Sequence, residues 1–301
     1  MALSNADDLF VDGTFEFVDK TLFSQLWVVV VRISMFVSIP GAFFCLPSKD
    51  AHVYKQVLEC LKTHGVQNPK RIHLDFELAD IKAAKECYPD TELIGFDTHW
   101  KRNLRTHNGK CGLAAFSNTD VVIQTFLRHL WSLSLVPEED VVKVWEYILD
   151  KEFPEMDDEE ETVEEYNQAM EFYLMYFEQT WIGTKNRRNG IRGKPKFPHK
   201  LWNKFSHVLK EDDLTNNLSE SWNSASKLCL PRNPSIWAVL DSIKKEEELA
   251  RNKLNVVALH NDADNHGGRT QHYIEKKAKR RSMAESYGSI PLSEYINIAA
   301  S

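Results

Sequence analysis

Over the first hundred residues, short runs rich in Val, Ile and Phe alternate with amphipathic runs of helical period. No other feature of the chain narrows its fold as much. Leu9–Phe17, Gln25–Ile33 (QLWVVVVRI) and Phe36–Leu46 (FVSIPGAFFCL) read as three strands, since β-branched and aromatic residues suit a pleated, half-buried surface. Asp50–Thr63 places Val53, Val57, Leu58 and Leu61 on one helical stripe, with Gly65 as the stop signal. Arg71–Phe76 reads as a fourth strand, Leu78–Cys87 as a helix ended by Pro89, and Thr91–His99 as a fifth strand. The predicted order is β-β-β-α-β-α-β, an α/β class with a mixed sheet.

Beyond His99 the pattern changes, and from Thr119 to Leu209 every periodic run is helical. Asp120 can cap the run VVIQTFLRHLWSL, and Pro137 opens a helix in which Val141, Val144, Trp145, Ile148 and Leu149 form an apolar stripe. A further helix over Val163–Trp181 gathers Tyr166, Met170, Tyr173 and Phe177 on one side. Gly190, Gly193, Pro195 and Pro198 mark the following stretch as an exposed loop. Leu218, Trp222, Ala225 and Cys229 define a helix starting near Asn216, and Pro234–Asn255 holds one more. The expected division is 1–99 as the first part of an α/β core, 100–213 as a helical insertion with a basic loop, 214–258 as the closing helices of the core, and 259–301 as a polar, flexible tail.

Composition excludes several classes. The five cysteines, Cys45, Cys60, Cys87, Cys111 and Cys229, form no C-x-x-C pair, so neither a disulfide framework nor a cysteine zinc site is expected. The most apolar stretch, Leu22–Leu46, is broken by Gln25, Arg32, Ser34, Ser38, Pro40 and Gly41, whereas a membrane span needs about 20 apolar residues in a row. MALSNADDLF lacks the basic start of a secretory signal, so a soluble, intracellular protein without a membrane partner is expected.

The net charge of −7 is local in origin, because Glu155–Glu165 holds eight acids and no base, leaving the rest of the chain at +1. Lys185–Lys204 is the reverse, with Lys185, Arg187, Arg188, Arg192, Lys194, Lys196, Lys200 and Lys204 and no acid. Lys276-Lys277-Ala278-Lys279-Arg280-Arg281 adds a second basic run that import machinery can read as a nuclear signal. Such runs attract polyanions, or are simply solvated. Trp181, Phe197 and Trp202, near the first run, either stack on an unpaired base or belong to a helical core.

Three carboxylates sit at the ends of predicted elements, and each has a purely structural explanation beside a chemical one. Asp12-Gly13 is a hairpin-turn dipeptide. Asp75 precedes a helix and can serve as its N-cap. Glu220 lies three residues after Asn217, as in a capping box, and heads a polar helix face with Asn216, Asn223 and Lys227.

Taken in order, LFVDGTF (Leu9–Phe15), QLWVVVV (Gln25–Val31), the strand ending in Leu46-Pro47, the helix VYKQVLECL, the segment His73–Trp100 (HLDFELADIKAAKECYPDTELIGFDTHW) and NNLSESWN (Asn216–Asn223) resemble the Mutator-like (MULE) transposase domain. The resemblance runs from about Leu9 to about Leu228. It implies an RNase H-like fold with a helical insertion, and a DDE-type catalytic triad of Asp12, Asp75 and Glu220. It further implies two Mg²⁺ or Mn²⁺ ions, with Asp12 bridging both, Asp75 holding one and Glu220 the other. Such an ion pair clamps an in-line displacement at phosphorus. The implied reaction is metal-dependent cleavage and transfer of DNA strands in the nucleus, with element ends and target DNA as partners and a homodimer for paired-end chemistry. Phosphate contacts would come from Lys185, Arg187, Arg188, Arg192, Lys194, Lys196 and Lys200.

The chain departs from the family pattern in two respects. The family's Cys-x-x-His pair has Phe96 in place of the cysteine, while His99 remains as an auxiliary to DNA or metal, or as a histidine satisfied by the core; Asn216, Asn217 and Asn223 are further auxiliaries. Only eleven residues precede Asp12, without a Cys/His zinc module, so the end-recognition module is expected to be absent. The alternative is a truncated or host-domesticated transposase remnant, a catalytically inactive protein that binds DNA or chromatin.

Overall fold

The computed structural model describes residues 3–15, 18–34, 37–157, 159–186, 188–210, 234–259 and 268–301. The strands are β1 (Asp8–Thr14), β2 (Gln25–Arg32), β3 (Ser38–Leu46), β4 (Arg71–Leu74) and β5 (Glu92–Gly95). The helices used below are α1 (Ala51–Thr63), α2 (Leu78–Cys87), α3 (Asp97–Lys110), α4 (Ala114–Ser117), α5 (Val121–Ser132), α6 (Val141–Lys151), α7 (Glu160–Phe177), α8 (His199–Trp202), α9 (Phe205–Leu209), α10 (Ile236–Leu259), α11 (Gly268–Glu285) and α12 (Leu292–Ala300). The chain divides into two compact units, Met1–Phe96 with Thr215–His272, and Asp97–Leu214 with Tyr273–Ser301. No helix among the described residues is long and apolar enough to cross a membrane.

The first unit is built on one mixed sheet in the order β3-β2-β1-β4-β5. β1, β2 and β3 form an antiparallel meander, while β4 and β5 run parallel to β1. β2 is buried along its length except at Arg32, which explains its unbroken apolar run. Pro40 is accommodated because β3 lies at the sheet edge and the register slips opposite Val29/Val30, leaving Gly41 as the extra residue of a bulge. On one face Phe10, Leu26, Val28 and Val30 pack with Val18 and Phe96, and Ile243 of α10 lies against them. Asp50 caps α1 by accepting from the Val53 N–H at 3.1 Å, and Gly65 ends it at φ 97°, a conformation glycine adopts without strain.

At the start of β1, one ionic cluster ties three strands together. The Asp8 carboxylate accepts from Arg71 Nε and from Arg71 Nη2 at 2.9 Å, lies 3.3 Å from His73 Nε2, and pairs with Arg32 of β2 at 3.5 Å. His73 in turn stacks on the Phe10 ring, with centroids 4.2 Å apart. Burial alone would raise the Asp8 pKa, but the hydrogen bonds from His73 and Arg71 hold it well below the usual carboxylate range.

The second unit is helical and packs around aromatic rings. Trp100 of α3 stacks on Trp202 of α8 at 5.2 Å, Trp181 meets both edge-on, and Phe197 stacks on Trp181 at 5.1 Å. All four are buried. These rings therefore form the core of the unit and cannot serve as platforms for unpaired bases. Asp120 caps α5 through the N–H groups of Val122 and Ile123, and Tyr166, Met170, Tyr173 and Phe177 make the buried stripe of α7. The acidic run enters α7 as a solvated segment, with Glu160, Glu161, Glu164 and Glu165 exposed.

Two expectations need correction. The fifth strand ends at Gly95 rather than at His99, because Asp97 opens α3 and pairs with Lys101 one turn on, at 2.9 Å. Nor is 259–301 a loose polar tail. Residues 260–267 lie outside the described residues, but α12 packs on α5 with Tyr295 and Ile296 buried. The Tyr295 hydroxyl donates to the Leu135 carbonyl, the Tyr287 hydroxyl donates to Asp140 at 2.8 Å, and Asn297 Oδ1 lies 3.0 Å from His129 Nε2. A few well-spaced apolar residues anchor a segment whose average composition is polar.

Replacing Asp8 by Asn should destabilise the protein by about 2–3 kcal/mol at neutral pH, through the charged hydrogen bonds it weakens. Since the carboxyl pKa is depressed on folding, this contribution is complete above about pH 4 and fades as the pH falls towards the folded value. Thermal unfolding of both proteins across pH 3–7 should show the gap closing at the acidic end.

Candidate active site

The parallel register of β1 and β4 pairs Asp8 with Arg71, Leu9 with Ile72 and Phe10 with His73. Two residues beyond the Phe10–His73 pair stand Asp12, still within β1, and Asp75, directly after the last residue of β4. Alternation along β1 puts Asp12 on the face of Phe10, which the Phe10–His73 stack shows to be shared with His73 of β4. The two carboxylates thus stand near the carboxyl ends of neighbouring parallel strands, and both lie close enough to Asp80 to act on its charge. From β1 the chain runs to β2 and β3 on one side and returns through α1 to β4 on the other, so the strand order reverses between β1 and β4. In open α/β sheets ligand sites form at such a switch point, beyond the strand ends.

The structural explanations for the two aspartates do not hold. Asp12 is no turn residue: it pairs with Val28 inside β1, which continues to Thr14. Gly13, opposite Trp27, serves close packing, because a Cβ there would collide with Oε1 of the buried Gln25, whose amide donates to the Tyr54 hydroxyl at 2.7 Å. Asp75 does not cap α2, whose N-cap is Glu77; its Oδ1 accepts from the adjoining Phe76 N–H at 2.6 Å. Both aspartates are half-buried.

Two more acids surround this strand end, and sequence reasoning did not single them out. Asp80 of α2 is buried, its Oδ1 has no hydrogen-bond partner among the described residues, and it accepts from Trp27. Burial first, then the charges of Glu77, Asp75 and Asp12, push its pKa up to about 7. Glu77 is raised by burial and by Asp75, against the opposing pull of Lys49, whose Nζ is 3.8 Å away. The signal was present in the DFELAD segment, which crowds carboxylates at 75, 77 and 80. Negative charge is therefore in excess here, and the donors are all hard oxygens, the set that suits Mg²⁺ or Mn²⁺. Among the described residues no three His, Cys, Asp or Glu side chains are grouped to hold a metal ion.

No family model and no curated protein matches this chain.

Glu220, Asn216, Asn217, Asn223 and Arg187 lie outside the described residues. His99 is buried in α3, in the helical unit, while Phe96 fills the apolar cluster on the sheet face. In the basic loop the cations differ sharply. Arg192 binds Glu178 at 2.5 Å, Glu146 at 3.0 Å and the Gly183 carbonyl at 2.7 Å, while Lys185 binds Glu146 at 3.0 Å. These bonds hold the Glu146 pKa down and close the small bridge between Lys185 and Arg192. Arg188, Lys194, Lys196 and Lys200 stay exposed, without an acidic partner among the described residues.

Because folding raises the Asp80 pKa, its ionisation costs stability progressively from about pH 4 up to its folded value of about 7. In EDTA, Asp80→Asn should match the parent near pH 4 and exceed it by a few kcal/mol at pH 8, as read by denaturant unfolding at each pH.

Proposed function

We propose that this chain is a DDE-type, RNase H-like phosphoryl-transfer enzyme of the Mutator-like transposase kind, cleaving and transferring DNA strands with a divalent metal. The observation that carries this reading is the pair Asp12, near the end of β1, and Asp75, directly after the parallel strand β4, beside the switch point of the sheet. The β-β-β-α-β-α-β element order and the helical segment that follows support it.

In this reading Asp12 and Asp75 hold Mg²⁺ or Mn²⁺, with Glu220 as the third carboxylate. Held there, such ions would supply charge stabilisation at the phosphoryl oxygens and a lowered pKa for the attacking hydroxyl. The chain's own task is to fix the two aspartates. β1 is fastened on one side by its pairing with β4 and on the other by β2, so neither carboxylate must be ordered when substrate arrives. Glu77, and Asp80 once it is ionised above about pH 7, deepen the negative potential at the strand ends and so favour cation binding. The exposed cations Arg188, Lys194, Lys196 and Lys200 supply phosphate contacts, and a second copy of the chain supports paired-end chemistry.

The test is nicking of supercoiled DNA with Mg²⁺ or Mn²⁺. Asp12→Asn, Asp75→Asn and Glu220→Gln should each lower the rate by about a thousandfold or more, several kcal/mol of transition-state stabilisation, with unfolding temperatures near the parent's. A folded parent that binds duplex DNA and nicks none would favour the inactive remnant. Preferential cleavage of RNA–DNA hybrids would reassign the same acids to a ribonuclease.

A further inference from the structure

Lys276, Lys279 and Arg280 of α11 are spaced i, i+3, i+4, so they rise from one face of that helix. In the same helical unit, Arg105 of α3 and Arg128 of α5 reach the same depression, an opening of about 860 Å³ that Lys101 and Trp131 also line. Lys101 is paired with Asp97. The other five bases are exposed, and none has an acidic partner among the described residues. Glu294 is the one acidic side chain in the lining. Beside it lies a second opening of about 640 Å³, which shares Lys279, Glu294, Ile298 and Ser301 with the first.

The contrast with the loop at 185–204 is informative. There Lys185 and Arg192 are spent on Glu146 and Glu178 and serve to hold the loop's shape. In the groove five exposed cations face a single acidic side chain of the lining, Glu294, so a net positive charge is left to attract an anion. Arg105 is even held in place without using its donors, for its guanidinium lies over the Trp131 ring at 5.3 Å, and its N–H groups remain available for a phosphate.

We propose that this groove of the helical unit binds the phosphate backbone of double-stranded DNA. An enclosed site for a small anion would bury its cations, whereas these five stand exposed around an open depression on three different helices, an arrangement suited to a long polyanion lying across the surface. Contacts of this kind position a duplex without reading its sequence. The inference rests on the preceding reading only for the choice of DNA as the polyanion.

The test measures binding of a labelled DNA duplex to the full chain in EDTA, between about 50 and 200 mM salt. Arg105→Gln with Arg128→Gln, and separately Lys276→Gln with Lys279→Gln and Arg280→Gln, should each weaken binding about tenfold or more at 100 mM salt. The salt slope should fall by about 0.9 for every phosphate contact removed. All five side chains are exposed, so unfolding temperatures should stay at the parental value. Groove variants that keep the parental affinity and slope overturn the proposal, as does displacement of the duplex by inorganic pyrophosphate, or more readily by duplex RNA of equal length. Metal is absent, so binding and cleavage are read apart. Normal binding by the groove variants with nicking lost in Asp12→Asn removes the groove and keeps the chemistry; weakened binding with undiminished nicking in Asp12→Asn does the reverse.

Discussion

The pairing of β1 with β4 is the constraint from which the rest of the first unit follows. β1 is the only strand that joins the antiparallel meander to the parallel half of the sheet. Its register with β4 fixes which residues become neighbours at the far end. Asp8 secures that register at the near end, binding Arg71 and His73 of β4 and Arg32 of β2 through one carboxylate. A slip of one residue would turn Asp12 to the opposite face and would leave the half-buried Asp8 without its partners, so structural and chemical demands select the same alignment.

Much of this was legible in the sequence, for identifiable reasons. β2 could be read because Trp27–Val31 is an unbroken apolar run, and α1 because its stripe sits between a capping Asp50 and a terminating Gly65. β5 was read too long because Phe96 looks like another strand residue, whereas its ring enters the sheet-face cluster just as the chain turns into a helix started by Asp97. The chain end misled in the opposite direction, since Tyr295 and Ile296 are too few to alter the mean polarity yet enough to seat α12.

Of the candidate site, Asp12 and Asp75 were visible because each stands in a recognisable motif. Asp80 was not. Its importance arises from burial behind Trp27 and from charges contributed by other elements, and neither property is local in sequence. The basic segments show the same limit. Lys185 and Arg192 look like any exposed cations until Glu146 and Glu178 are seen beside them, and Arg105 and Arg128 belong to no basic run at all. Composition counts charges, but only the fold decides which of them are already neutralised.

Each unit is assembled from two separated stretches of chain, and the stretches interleave. The sheet unit requires α10, which packs against β3, and α10 is synthesised only after the whole helical insertion. The helical unit in turn lacks its cover over α5 until α12 has been made. During synthesis the sheet face around Phe10 and Val28 must wait without Ile243, and α5 without Tyr295 and Ile296. Exposed apolar surface of this kind is what chaperones bind and what aggregation exploits. The interleaved chain order thus sets a period in the life of every new molecule when neither half can finish folding by itself.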